Sequence, residues 1–184
     1  MLFSLRFFLG FLRNPLRNAS VVPSSRFLTR KMLDGLDFSK ISTVVELGPG
    51  TGVFTREILR RARPGTKVLL VELNTDFAAA LAREFGDRVF VENASAADFE
   101  ALLAKRGLGR ADLVVSGLGL PAMPVQIRES ILSAVARQVG AGAEFRMFTY
   151  VLGTLRKLAP NTRFRRLSGT WLNLPPASVV TIEI

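Results

Sequence analysis

The chain has 184 residues, 48% of them hydrophobic and 22% charged, with 25 Lys and Arg against 15 Asp and Glu and neither Cys nor His. That length suits one domain with a sizeable core, and the missing Cys and His exclude disulfide scaffolds, thiolate nucleophiles, Cys/His zinc or iron–sulfur sites and Ser-His or Cys-His relays. A formal net charge of +10 and a pI near 11.3 call for a polyanionic partner, either nucleic acid or an anionic membrane surface.

Residues 1–33 carry Arg6, Arg13, Arg17, Arg26, Arg30 and Lys31 and no acid before Asp34. At helical spacing Arg6, Arg13 and Arg17 fall on one narrow stripe, while Leu2, Leu5, Phe7, Phe8, Leu9, Phe11, Leu12 and Leu16 cover the remaining face. A wide apolar arc beside a thin basic stripe predicts an amphipathic helix lying in a membrane interface. The run is too short and interrupted to span a bilayer. A secretion signal is disfavoured because Arg6 interrupts the apolar run and Asn14-Pro15 follows it. A terminal helix packed on its own core is the other reading, and Phe3, Phe7, Phe8 and Phe11 favour the interface. The expected division is a membrane-binding segment at 1–33 and a catalytic domain at 34–184.

Beyond it, short β-branched or Leu-rich runs alternate with helical stretches, which predicts an α/β domain with a mainly parallel sheet. Strands are expected at 43–47, 68–72, 89–92, 112–116 and 144–150, and helices at 25–33, 52–62, 76–85, 99–105 and 125–139. Pro64-Gly65 and the glycines at 140 and 142 mark helix ends. Two further strands are expected in 163–184, separated by Asn173-Leu174-Pro175-Pro176.

The strongest local signal is Val45-Glu46-Leu47-Gly48-Pro49-Gly50-Thr51-Gly52, a strand entering a glycine turn that opens a helix. Glycines there let a ligand approach the backbone, and the helix presents free amides. The next strand ends at Glu72, twenty residues after Gly52, where a carboxylate can accept bonds from both hydroxyls of a ribose. The third glycine of a dinucleotide fingerprint would fall at Val53, and no Gly-Lys-Ser/Thr follows, so NAD and ATP are disfavoured.

This arrangement resembles motif I of the S-adenosylmethionine-dependent methyltransferases. The resemblance implies that Glu46, Gly48, Pro49, Gly50, Thr51 and Gly52 lie at the methionine part of the cofactor, and that Glu72 holds its ribose. It also implies that Leu73, Asn93 and Ala94 neighbour the adenine, where Asn93 replaces the acid often found. As residues, Asn93 is equally a turn former. Further segments, among them Phe11 to Pro15, Val22 to Arg26, Val115 to Leu118, Phe148 to Tyr150 and Asn173 to Ala177, make the chain similar to the bacterial phospholipid N-methyltransferases, relatives of the ribosomal RNA adenine dimethylases. That family implies a Rossmann-like seven-stranded sheet flanked by helices, an N-terminal amphipathic helix, and methylation of phosphatidylethanolamine toward phosphatidylcholine. It implies a peripheral protein on the cytoplasmic face of the bacterial membrane, S-adenosylmethionine as cofactor, a phospholipid as substrate, and neither metal nor nucleic acid as partner. Two loops depart from it, with Gly119 where a proline is expected and Val151-Leu152-Gly153-Thr154 where a Gly-Pro loop is usual.

Methyl transfer to an amine is an in-line displacement that depends mainly on alignment. With no His, the candidates for helping the amine lose its proton are Tyr150, a carboxylate or water, and the resemblance places Ser116 facing the acceptor. Arg146, Arg156, Lys157, Arg163, Arg165 and Arg166 offer cations for a lipid phosphate. Trp171 is either core or a headgroup-level aromatic. The alternatives are an RNA adenine N6-methyltransferase and a non-catalytic membrane-surface protein. Against RNA, Ser116-Gly117-Leu118-Gly119 has no aromatic to stack a target base.

Overall fold

Thr43–Leu47 reads Thr-Val-Val-Glu-Leu, and all five residues are buried. Such a strand is covered on both faces, as a central parallel strand must be. In a computed structural model of the chain, which describes residues 26–138, 142–150, 163–170 and 176–183, it is β1 at the middle of a seven-stranded sheet. The other strands are β2 (Lys67–Val71), β3 (Phe90–Glu92), β4 (Leu113–Ser116), β5 (Glu144–Thr149), β6 (Arg163–Thr170) and β7 (Ala177–Glu183). The helices are α1 (Arg26–Leu33), α2 (Val53–Arg61), α3 (Thr75–Phe85), α4 (Phe99–Lys105) and α5 (Val125–Gln138).

The strands lie in the order β3-β2-β1-β4-β5-β7-β6. The first five are parallel, β7 runs antiparallel to β5, and β6 antiparallel to β7. The winding direction reverses between β1 and β4, so the chain leaves both strands in opposite senses and opens a crevice at their C-terminal ends, where ligands of open α/β sheets bind. Adjacent residues of β1 divide between two cores. Val45 and Leu47 meet Phe99 and Leu103 of α4 and Ile131 and Val135 of α5. Val44 meets Leu28 and Met32 of α1, Phe54 and Ile58 of α2, and Leu81 and Phe85 of α3.

The expected alternation is present, and element ends differ by one residue at most positions. β2 stops at Val71, which leaves Glu72 just beyond the strand, although its N–H still donates to the Glu92 carbonyl at 3.0 Å. Residues 26–33 of the expected membrane segment form α1, with Leu28, Thr29, Met32 and Leu33 buried and Arg26, Phe27, Arg30 and Lys31 outward. Residues 1–25, the loop at 151–154, Arg156, Lys157, Trp171 and residues 173–175 lie outside the described residues.

Two polar fastenings fix the N-terminal edge of the sheet. The Asp112 carboxylate accepts the N–H groups of Ser42 and Thr43 at 2.7 and 2.9 Å, tying the start of β4 to that of β1. The Arg146 guanidinium, 5% exposed, donates to Glu144 at 3.1 Å and to the Asp34 carbonyl beyond α1 at 3.2 Å. Arg146 is therefore a buried cap for the α1 end, which removes it from the cations expected for a lipid phosphate. Its charge is desolvated and already spoken for. Asp112→Ala leaves two strand-edge amides without their acceptor, and we expect it to lower stability by about 2 kcal/mol, read as a shifted urea midpoint. An unchanged midpoint would assign the edge to other contacts.

Candidate active site

The turn after β1 begins with a close approach. A Cβ on Gly48 would collide with the Leu118 side chain, and one on Gly117 would lie 2.5 Å from the Gly48 carbonyl oxygen. The loop that leaves β4 therefore rests directly on the turn that leaves β1, and glycine at both positions permits it. A backbone bond holds the same seam, the Gly117 N–H donating to Leu47 O at 2.9 Å, while the Gly48 N–H ties the turn to β2 by donating to Val71 O at 2.9 Å. Pro49 is buried beneath the turn and Thr51 is exposed on it. Gly52, with φ of 75°, caps α2 and brings no side-chain bond to the helix amides.

Gly50 differs from its neighbours. Its φ of 55° is left-handed, yet a Cβ there would meet no heavy atom within 4 Å, so the space above it is open. Its N–H donates to Glu72 Oε2 at 2.9 Å, and the other carboxylate oxygen accepts the Asn74 N–H at 2.9 Å. Glu72, 7% exposed, thus stands at the turn with spare lone pairs on both oxygens. Asn74 caps α3 by accepting the N–H groups of Asp76 and Phe77.

Asn93 works as a clasp in this structure. Its side-chain amide donates to the carbonyls of Glu72 and Leu73 at 2.9 and 3.0 Å, and its oxygen accepts the Thr75 hydroxyl at 3.0 Å. Ala94 closes the same corner by donating its N–H to Glu72 O at 3.2 Å. The result presents Leu73 at 73% exposure, an apolar platform beside the open turn.

Beneath the turn, Glu46 is fully buried and accepts the Thr55 hydroxyl of α2 at 2.6 Å through Oε2, while Oε1 has no partner. Burial, aided by the nearby Glu72 charge, pushes its carboxyl up to about 8 against the Thr55 bond. Glu46 is accordingly protonated at neutral pH, a neutral strut between β1 and α2.

The two expected catalytic residues occupy different surroundings. Ser116 is fully buried, and its hydroxyl oxygen accepts the Leu118 N–H at 3.3 Å, which shapes the loop that meets Gly48. It pairs in register with Leu47 and Met147, on the α4/α5 face. Tyr150 is half-buried on the α1/α2 face, edge-on to Phe148 at 5.5 Å, with Phe148 in turn 6.0 Å from Phe54. Ser116 ends β4, which borders the crevice, and Tyr150 follows β5, one strand farther away. Thr55, Asn74, Thr75, Gly117 and Leu118 join the site without having been anticipated. A lone threonine among the apolar residues of α2, and a glycine directly after Ser116, were the available signals.

The donors and space suit S-adenosylmethionine. Glu72 offers paired acceptors for a ribose, Leu73 an apolar face for a base, and the open turn at Gly50 with the uncapped amides of α2 a seat for the amino-acid part. No group of three or more metal-ligating side chains occurs among the described residues. The sheet order and this site define an S-adenosylmethionine-dependent methyltransferase of the Rossmann-like class. The chain is 33% identical over 145 residues to an ornithine lipid N-methyltransferase of Singulisphaera acidiphila, covering 77% of this chain and 76% of that enzyme. It is 39% identical over 89 residues to ribosomal RNA small subunit methyltransferase A of Cupriavidus metallidurans, covering 47% of this chain and 30% of that one. Residues 23–105 match the ribosomal RNA adenine dimethylase family. The chain belongs to the family of S-adenosylmethionine-dependent methyltransferases that includes the Singulisphaera enzyme and is related to the ribosomal RNA adenine dimethylases. Solved structures share the fold. A Burkholderia thailandensis 1,6-didemethyltoxoflavin-N1-methyltransferase superposes with a TM-score of 0.63 at 15% identity, over 98% of this chain and 84% of that one. PigF superposes with a TM-score of 0.59 at 17% identity over 85% of this chain, which spans about half of PigF (54%).

The raised Glu46 carboxyl carries a stability signature. Between an ordinary carboxyl value near 4.5 and about 8, the folded chain holds a proton that the unfolded chain releases. Stability therefore falls as pH rises through that window. We expect Glu46→Gln to flatten the decline of the urea midpoint from about pH 5 to about pH 8. A decline equal to that of the parent would show that Glu46 is ionised in the fold.

Proposed function

We propose that the chain transfers methyl groups from S-adenosylmethionine to the amine of a membrane lipid. Phosphatidylethanolamine and its mono- and dimethyl derivatives, on the way to phosphatidylcholine, are the acceptors that the sequence resemblance implies. Ornithine lipid, named in the Singulisphaera relative, offers the same chemistry, an amine held at headgroup level. The observation that carries this reading is the extent of the matches. A match over 77% of the chain necessarily includes both the glycine turn and the loop after Ser116. The match to the ribosomal RNA family ends at residue 105, before β4 and that loop. Gly117-Leu118-Gly119-Leu120 also has no aromatic on which a base would stack.

When bound, the cofactor supplies a methyl group on a sulfonium, ready for displacement. The chain contributes alignment. Gly50, Glu72 and Leu73 fix the cofactor, and the 117–120 loop, braced on Gly48, sets where an acceptor nitrogen can stand. Tyr150, a carboxylate or water helps the lipid ammonium lose its proton, which passes on to solvent. Such an enzyme works as a peripheral protein on the cytoplasmic face of the bacterial membrane. No described helix is long and apolar enough to cross a membrane.

Labelled S-adenosylmethionine offered with vesicles of phosphatidylethanolamine, with vesicles containing ornithine lipid, and with structured RNA tests the reading. We expect label in lipid, and Glu72→Ala to weaken cofactor affinity about tenfold or more. Label in RNA alone would overturn the lipid assignment, and unchanged cofactor affinity would overturn the ribose assignment.

A further inference from the structure

The exposed large apolar side chains among the described residues are Phe27, Leu73, Val125 and Ile127. Topology puts three of them, Leu73, Val125 and Ile127, at one edge of the sheet. Leu73 follows the C-terminal end of β2, and Val125 and Ile127 lie in the first turn of α5, which is separated from the end of β4 by eight residues. Phe27 is in the first turn of α1. The other end of α1 is fixed at the opposite edge, where Arg61 in the last turn of α2 donates to the Leu33 carbonyl at 2.9 Å. Its first turn lies at the far end of the helix from that bond. The opposite edge is polar, with Asp37 bonding Ser39 and Lys40, and Arg63 bonding Ser42.

Arg26, Arg30 and Lys31 face outward from α1, and the Arg26 guanidinium lies 5.4 Å from the Phe27 ring centroid, an aromatic and a cation together at one helix end. Glu129, exposed on α5, sits one turn farther from the edge than Val125. The acids at the edge itself, Asp76 and Asp98, stand on the β2–β3 side, away from α1. An apolar first turn backed by an acid, opposite a basic helix face, matches an anionic bilayer, where apolar side chains enter and cations meet phosphates at the surface.

We propose that this edge is a lipid-facing surface built into the catalytic domain: the first turn of α5, through Val125 and Ile127, enters an anionic bilayer to the depth set by Glu129, while Arg26 and Arg30 contact lipid phosphates. The inference rests on the lipid reading of the function and goes beyond it. The mouth between Gly50 and the 117–120 loop then opens onto the membrane, so a lipid amine reaches it without the lipid leaving the bilayer.

The chain has no Cys, so one introduced thiol carries a probe uniquely. Ile127→Cys, and Ser39→Cys at the polar edge, are each labelled in the full chain with an environment-sensitive nitrobenzoxadiazole dye. S-adenosylhomocysteine binding without lipid checks that each labelled protein is folded. With phosphatidylglycerol–phosphatidylethanolamine vesicles, we expect the dye at 127 to shift to the blue and to be quenched by spin-labelled lipid, and the dye at 39 to do neither. Adding Val125→Asp to the 127 probe should reduce its quenching several-fold. A dye at 127 that keeps its aqueous emission, whether the protein sediments with vesicles or stays in solution, overturns the proposal. So does a blue shift that grows with protein concentration without vesicles, which would mark a contact between copies of the chain. Methyl transfer to lipid, followed in the same samples, separates the two readings. Insertion without transfer would refute the lipid substrate and leave the surface standing, and transfer without insertion would do the opposite.

Discussion

The seam between two loops governs the site. The Gly48 carbonyl lies so near Gly117 that no side chain fits between them, and Leu118 fills the space where a Gly48 side chain would stand. Both loops leave adjacent parallel strands whose register is fixed by the Leu47–Ser116 pairing. The turn proposed to hold the cofactor and the loop proposed to border the acceptor are thereby packed directly against each other. In-line transfer needs donor and acceptor atoms placed to a fraction of an ångström, and a mobile loop would lose much of that advantage. Glycine at 117 thus fixes the relative height of the two halves of the reaction.

Around the seam, polar groups are spent on the frame more than on display. Glu46 is neutral and buried against Thr55, Asn93 clasps the carbonyls of Glu72 and Leu73, and Ser116 turns its oxygen to the loop above it. What remains available is small, namely the Glu72 carboxylate, the Leu73 side chain and the open turn at Gly50. That economy fits a reaction whose electrophile arrives already activated, since the protein then has to orient and exclude water. It also gives the buried Glu46 carboxyl a structural purpose, because an ionised group beneath the turn would repel Glu72.

Much of this was legible in the sequence. β1, the glycine turn and α2 appear as a β-branched run, three glycines and an apolar 3.6-residue pattern, each with a local physical cause. Glu72 was legible because an acid ending a strand at that distance has a recognised use. The rest needed pairing partners. Whether an acid in β1 meets solvent or core depends on what covers the sheet, so the burial of Glu46 was hidden. Arg146 counted as one of a run of cations until the sheet set it against Asp34. The close approach of Gly117 had no local signal, because its neighbour Gly48 is 69 residues away in sequence. Asn93 was legible as a polar residue at the correct strand end, but its partners lie in the β2–α3 turn, about twenty residues earlier in the chain.

The most direct test of the central claim is a crystal structure of the chain with S-adenosylhomocysteine. The account predicts the ribose hydroxyls on the Glu72 carboxylate, the base against Leu73, and the amino-acid part over Gly50 and the first amides of α2, with the Gly48–Gly117 contact unchanged. A ligand whose ribose lies away from Glu72, or a 117–120 loop lifted off Gly48 to admit it, would contradict the account.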